Sequence, residues 1–276
     1  MQPLSVVENH FHELAGQVQF YGQTVASIMM VPLWQAVLNM MGKAQGDPKI
    51  LQGGLIDDAL EQAKGGKNTL FVLWMRFFNM KLAFLFYDYA LAEKYVDAAP
   101  KIYNSLSGAL DASYTLFYEC MTLLALARQG RRRYRRIIYV RCRLKRLKSW
   151  AWGCPVNFLG KQFLIEAELA AVCGKRQKAS SHYRSGILHS REGGFLLDEA
   201  LGNEQLGAFY LESEKDEQAA VPFILEAKRL YEKWGGVAKV QCFQEKYGGV
   251  LSRAHGSVGH TSAMLSSQRS SSSLPK

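Results

Sequence analysis

Six histidines, five cysteines and a few closely spaced carboxylates are the residues of this chain best equipped for chemistry. Their spacing assembles no reactive site. His10 and His12 stand two apart, so on a helix they point in different directions, and no carboxylate or thiol lies at helical spacing to complete a metal set. His182 and His189 are two helical turns apart, which suits packing along one face better than catalysis. Glu166 and Glu168, like Glu212 and Glu214, are two apart and share no helical face for paired acid–base work. Cys120, Cys142, Cys154, Cys173 and Cys242 are odd in number, widely separated and without a C-x-x-C spacing. They predict free thiols in a reducing, intracellular and cytoplasmic setting. Gly66-Lys67-Asn68-Thr69 comes nearest to a phosphate loop, but Asn68 splits the Lys-Thr pair and Glu61 replaces the first glycine. The sequence therefore predicts a non-catalytic chain with no catalytic, cofactor-binding or metal-binding residues and no small-molecule substrate.

Charge offers a different kind of chemistry. The net charge is +10, yet eleven basic residues and no acidic ones fall between Arg128 and Lys148, leaving a balance of −1 elsewhere. Any nucleic-acid or anionic-membrane binding must come from this segment, through Arg131, Arg132, Arg133, Arg135, Arg136, Arg141, Arg143, Lys145, Arg146 and Lys148. Ile138, Val140, Cys142 and Leu144 alternate with polar residues as in a strand. However, Ile137, Val140, Leu144, Leu147 and Ala151 form a longer helical stripe, and helix is the preferred reading. With the stripe packed inward, the simpler account leaves the charges in water, and replacing Arg132, Arg136, Arg143 and Arg146 by glutamine should leave the helix intact.

These residues must be positioned by helices. The chain has 276 residues, of which 48% are hydrophobic and 21% charged, as in a globular protein with a sizeable core. Glycine doublets at 53–54, 65–66, 193–194, 235–236 and 248–249, with Pro48, Pro100 and Pro155, divide it into helix-length stretches. The spacing predicts helices over 5–20, 24–41, 55–64, 68–86, 88–98, 108–128, 131–149, 155–173, 176–191, 195–213, 216–234 and 237–247. Residues 14–42 carry no formal charge and are long enough to span a bilayer of about 30 Å. Gln17, Gln19, Gln23, Gln35, Asn39 and Pro32 favour two core-facing helices instead. Serine-rich residues 252–276 lack aromatic anchors and read as a disordered tail or linker after one domain, 1–251.

The clearest internal order lies within 155–247. Leu206, Gly207 and Tyr210 followed by Ala219 and Phe223 fit the small-large template of a tetratricopeptide repeat. In that template a small residue lets two antiparallel helices approach and an aromatic fills the gap beside it. Forty residues earlier, Ala167, Ala170, Ala179 and Tyr183 take the corresponding places, with Gly174 in the turn. Glu226 occupies the last small position unless the register slips by one to Ala227. The pattern predicts an all-α fold of antiparallel helix pairs stacked as a tetratricopeptide-like right-handed superhelical array, with Ala167, Ala179, Gly207, Ala219, Tyr183, Tyr210 and Phe223 buried at helix-pair contacts.

A more specific likeness then appears. KSWAWGCPVNF at 148–158, LIEAE at 164–168, Gly194-Phe195, Glu199-Ala200, Glu204, FYL at 209–211 and YEKWGGVAK at 231–239 resemble the helical region of large multidomain signalling ATPases. Tyr21-Gly22, Pro32, NMMG at 39–42 and FYDYA at 86–90 extend the likeness over about residues 20 to 247. In that family the region follows kinase-like and ATPase domains and precedes a GAF sensor and often a histidine kinase. The resemblance implies a helical-repeat module for protein docking or signal relay, partnered by proteins or neighbouring signalling domains. This chain contains none of the nucleotide-binding or kinase motifs of those neighbours, and its segment 131–143 is more basic than the family pattern.

Overall fold

Apolar side chains recurring every three or four residues drive this chain into helices, and glycine and proline decide where each one ends. The computed structural model describes residues 2–64, 69–100, 110–130 and 132–270. Among them are twelve α-helices and no strand. They are α1 (Leu4–Phe20), α2 (Thr24–Met41), α3 (Gly54–Lys64), α4 (Thr69–Leu85), α5 (Tyr89–Val96), α6 (Leu110–Arg128), α7 (Arg133–Gly153), α8 (Pro155–Val172), α9 (Arg176–Glu192), α10 (Leu196–Phe209), α11 (Glu217–Trp234) and α12 (Val237–Ser270). The all-α expectation holds, and the segment with strand-like alternation is helical within α7. Gly66 to Asn68, Arg131 and residues 271–276 lie outside the described residues. The backbone of α12 continues through Ser270, across a stretch whose composition pointed to a tail without structure; a helix closes its own backbone hydrogen bonds without needing a partner surface.

Local chemistry accounts for the boundaries. Gly42, Gly174 and Gly235 end their helices at φ of 75°, 73° and 86°, the left-handed region that only glycine enters cheaply. Pro155 opens α8 at a position whose N–H has no intrahelical acceptor. Asp88 and Asp216 cap α5 and α11 by accepting from Leu91 N (3.0 Å) and Ala219 N (2.9 Å).

Each helix from α4 onward packs on its neighbour in sequence, α6 and α8 also touch, α8 touches α10, and α12 returns to α2. One apolar core runs through them all, from Val37 and Met40 through Met80, Leu116 and Phe117 to Leu164, Tyr183, Ile224 and Phe243. The α2 helix is long and apolar enough to cross a membrane, by length and composition. Its buried amides bind a loop: Gln35 donates to Asn39 Oδ1 (2.9 Å), and Asn39 donates to the carbonyls of Pro48 (3.1 Å) and Ile50 (2.7 Å).

The small-large contacts are real but shifted. Ala167, Ala170, Ala179, Tyr183, Leu206 and Gly207 are buried as expected. On α11, Ala220, Ile224 and Ala227 face the core, whereas Ala219 and Phe223 are only half buried, as is Tyr210. Tyr210 and Phe223 stack on each other at 5.8 Å. The cause is a π-helical turn, Tyr210–Glu214, which inserts one residue between the two helices and advances α11 by one position. Lys215, at φ 57°, consequently occupies the left-handed turn position that Gly174 fills in the preceding pair. Replacing Lys215 by glycine should therefore raise stability by about 1 kcal/mol in chemical denaturation, by relieving that strain. No change in the denaturation midpoint would contradict this.

Two glycines that the repeat template did not single out, Gly186 and Gly202, join Gly207 at close helix contacts. A Cβ on Gly186 would lie 2.7 Å from Leu164 Cδ2 and 3.1 Å from the Leu164 backbone nitrogen. One on Gly202 would lie 2.8 Å from Ile187 Cγ1, and one on Gly207 2.5 Å from Ile224 Cδ1. A leucine at 207 must displace Ile224 and should cost about 1–3 kcal/mol in a denaturant titration. At 186 the nearby backbone leaves less room to relax, so Gly186→Leu should cost at least as much as Gly207→Leu. An unchanged midpoint for both variants would refute the packing scheme.

Candidate functional site

The basic segment divides once it is folded. Arg128 bridges Glu168 and Glu212 (3.3 Å to the latter). Arg133 donates to the Val172 carbonyl, and Arg136, nearly buried, pairs with Glu93. Arg143 donates to the Tyr139 hydroxyl (2.6 Å) and faces Glu119 (3.8 Å). Arg146 covers the Trp150 ring (5.1 Å), and Lys148 pairs with Glu166 (2.6 Å). Arg132, Arg133, Arg135, Arg141 and Lys145 are exposed and in no ion pair among the described residues of the segment, Arg133 being held by the Val172 carbonyl. The expectation that Arg136 and Arg143 are solvated surface charges is thereby corrected: both are tied to carboxylates of neighbouring helices, so glutamine at either would disturb α7.

Three of the six histidines pack against aromatic rings. His12 meets Trp34 edge-on (4.9 Å), and Phe163 lies stacked between His182 (5.7 Å) and His189 (5.4 Å). No group of three or more histidine, cysteine or acidic side chains that could hold a metal occurs among the described residues.

What sequence reasoning missed is a polar unit that recurs in successive helix pairs. In the α6/α7 pair, Glu119 is buried, accepts from the Tyr139 hydroxyl (2.6 Å) and faces Arg143. In α8/α9, buried Glu168 accepts from the Tyr183 hydroxyl (2.5 Å) and pairs with Arg128. In α10/α11, buried Glu204 accepts from the Tyr231 hydroxyl (2.7 Å) and pairs with Lys239 of α12 (3.0 Å). Each unit has the same composition: a carboxylate on the first helix, a tyrosine on the second and one cation.

The third unit is the most enclosed. Lys239 and Glu204 are 1% and 0% exposed, and the ammonium also donates to the Leu85 carbonyl (2.8 Å) and the Tyr87 hydroxyl (2.9 Å). Burial pushes the Glu204 carboxyl up, but the Lys239 and Lys246 ammonium groups and the Tyr231 hydroxyl pull it below its ordinary value, so it is charged at neutral pH. Burial, reinforced by Glu204, raises the Tyr231 hydroxyl well above its usual range and keeps it a donor. A further buried pair, Lys161–Asp198 (2.9 Å, both 1% exposed), joins α8 to α10, with the Lys161 ammonium over the rings of Tyr114 (4.0 Å) and Phe195 (4.3 Å).

Beside these units lies a cavity of about 240 Å³ with a mixed polar and apolar lining. Met121, Ala125, Arg128 and Gln129 of the α6 end, Glu168 of α8, Gln205 and Ala208 of α10, Glu212 of the π-helical turn and Lys246 of α12 form its walls. Phe84, Tyr87 and Tyr89 of the α4–α5 turn complete it. Four helices that are distant in sequence thus converge on one recess. Lys246 lies over the Tyr87 ring at 4.0 Å and forms no ion pair among the described residues, so it offers an exposed cation at the cavity wall. Of the cavity residues, the sequence drew attention to Arg128 as part of the basic run and to Glu168 and Glu212 as members of unworkable carboxylate pairs. Comparisons with family models, with curated proteins and with solved structures find no match to this chain.

Proposed function

We propose that this chain is a non-catalytic helical-repeat docking module whose antiparallel pairs α6/α7, α8/α9 and α10/α11 stack in a tetratricopeptide-like array. Its recognition site is the cavity between the α4–α5 turn and α6, α8, α10 and α12. The observation that carries this reading is the convergence of those four helices on one recess of mixed polar and apolar lining with Lys246, in no ion pair among the described residues, at its wall. The Glu-Tyr-cation unit in three successive pairs supports the repeat architecture, because in each the carboxylate of the first helix accepts from the tyrosine of the second, although the cation comes from a different place each time. The recess suits a partner segment that presents an acidic side chain or a terminal carboxylate to Lys246. The family resemblance adds the setting of a larger signalling ATPase, where such a module would dock or relay between neighbouring domains.

The test is fluorescence anisotropy with short labelled peptides carrying acidic, neutral or basic ends. Acidic-ended peptides should bind saturably, and Lys246→Glu should weaken them about tenfold or more, a change of roughly 1.4 kcal/mol. Arg135→Glu, an exposed reversal of the same size on α7, should leave them nearly unchanged. Equal losses with both variants, or no binding by any acidic-ended peptide, would overturn the reading.

A further inference from the structure

A second recess lies on the opposite side of α8, between α7 and the α8–α9 turn, with a volume of about 330 Å³. Its floor is apolar, made by Leu144, Leu169 and Ala170. Arg141 and Lys145 rise on one wall, and Lys175 and Lys178 face them from the start of α9. None of these four forms an ion pair among the described residues. Glu166 is the only acidic side chain in the lining, and it is engaged by Lys148 (2.6 Å) and faced by His182 Nδ1 (3.9 Å). The His182 Nε2 atom is buried without a hydrogen-bond partner.

We infer that this recess binds a compact anion bearing two or more phosphate groups. Four unpaired cations on opposing walls need several negative charges in a small volume, and a phosphate presents them more densely than a carboxylate. The walls hold a ligand of one small molecule's size, whereas a duplex or a bilayer surface would need a broad face of positive charge. The sequence placed Arg141 and Lys145 in a run along one helix; the fold adds Lys175 and Lys178 across from them. This inference is independent of the docking cavity, and either can fail alone.

The probe is inorganic tripolyphosphate, titrated by calorimetry into the full chain, with citrate as the carboxylate comparison. Saturable one-site binding is expected, and Lys145→Gln combined with Lys178→Gln, one from each wall, should weaken it about tenfold or more. Arg132→Gln combined with Arg135→Gln, outside the recess on α7, should change it less than about twofold, which also shows that bulk charge is not the cause. Parallel titrations with a nucleoside triphosphate and with inositol hexakisphosphate identify which source of clustered phosphate fits best. Equal losses for the two variant pairs, citrate binding as tightly as tripolyphosphate, or tighter capture by duplex DNA or phosphatidylserine vesicles would each overturn the proposal.

Discussion

Replacing Lys239 by methionine is expected to destabilise the fold by about 3–5 kcal/mol at neutral pH, because it strands the Glu204 carboxylate in a fully buried site. Only the Tyr231 and Tyr87 hydroxyls remain to serve it, and Lys246 acts from a distance. The pH dependence follows from the loss of the cation. In the native protein the Glu204 carboxyl is held below its ordinary value, so its contribution is present above the unfolded carboxylate pKa and lost as pH falls. Without Lys239, desolvation dominates and raises the carboxyl, so the folded state gains by binding a proton. The penalty should then shrink as pH is lowered from neutrality towards the unfolded carboxylate range, and Glu204→Gln in the same background should remove most of it at neutral pH. Urea titrations of the three proteins at two pH values measure this. A penalty independent of pH would show that lost side-chain volume, and not the stranded charge, is responsible.

The Lys161–Asp198 pair should behave as a coupled unit. Lys161→Met alone leaves Asp198 buried with only the distant Tyr114 hydroxyl (3.4 Å) and should cost about 3–5 kcal/mol. Asp198→Leu alone leaves an ammonium between the Tyr114 and Phe195 rings and the Asn157 carbonyl (3.2 Å), a less exacting loss because the aromatic faces attract a cation. The double variant should return close to the native stability, since a buried ion pair contributes little over a well-packed apolar pair. Additive single and double effects would mean that the pair is not coupled.

Much of this architecture was legible because helix ends are local events. Glycine doublets and Pro155 marked the turns, and apolar spacing placed the helices within a few residues, except that α12 runs on from the expected end near residue 247 to Ser270. The α11 register was legible only in part: Glu226 in a small-residue position hinted at the slip to Ala227, which is buried, but the π-helical turn at Tyr210–Glu214 that inserts the residue is backbone geometry that no side-chain pattern announced. The buried polar units were hidden for another reason. Glutamate and tyrosine are 20, 15 and 27 residues apart in the three units. Their cations come from α7, α6 and α12, so no fixed period links them. Glu168 looked like half of an unworkable carboxylate pair with Glu166, whereas its partners lie on other helices. The total charge of the basic segment was plain, but its division into inward and outward residues depends on where Glu93, Glu119 and Glu168 stand in the folded chain.

In the proposed function, one cavity walled by α6, α8, α10 and α12 around the α4–α5 turn receives the partner segment. Hydrogen-exchange mass spectrometry of the full chain, with and without a saturating acidic-ended peptide, tests it most directly. Slower exchange is predicted at residues 84–89, 121–129 and 205–212, with little change across α7 or the start of α9. Protection confined to residues 141–148 and 175–182 would contradict the account by placing recognition on the basic recess instead.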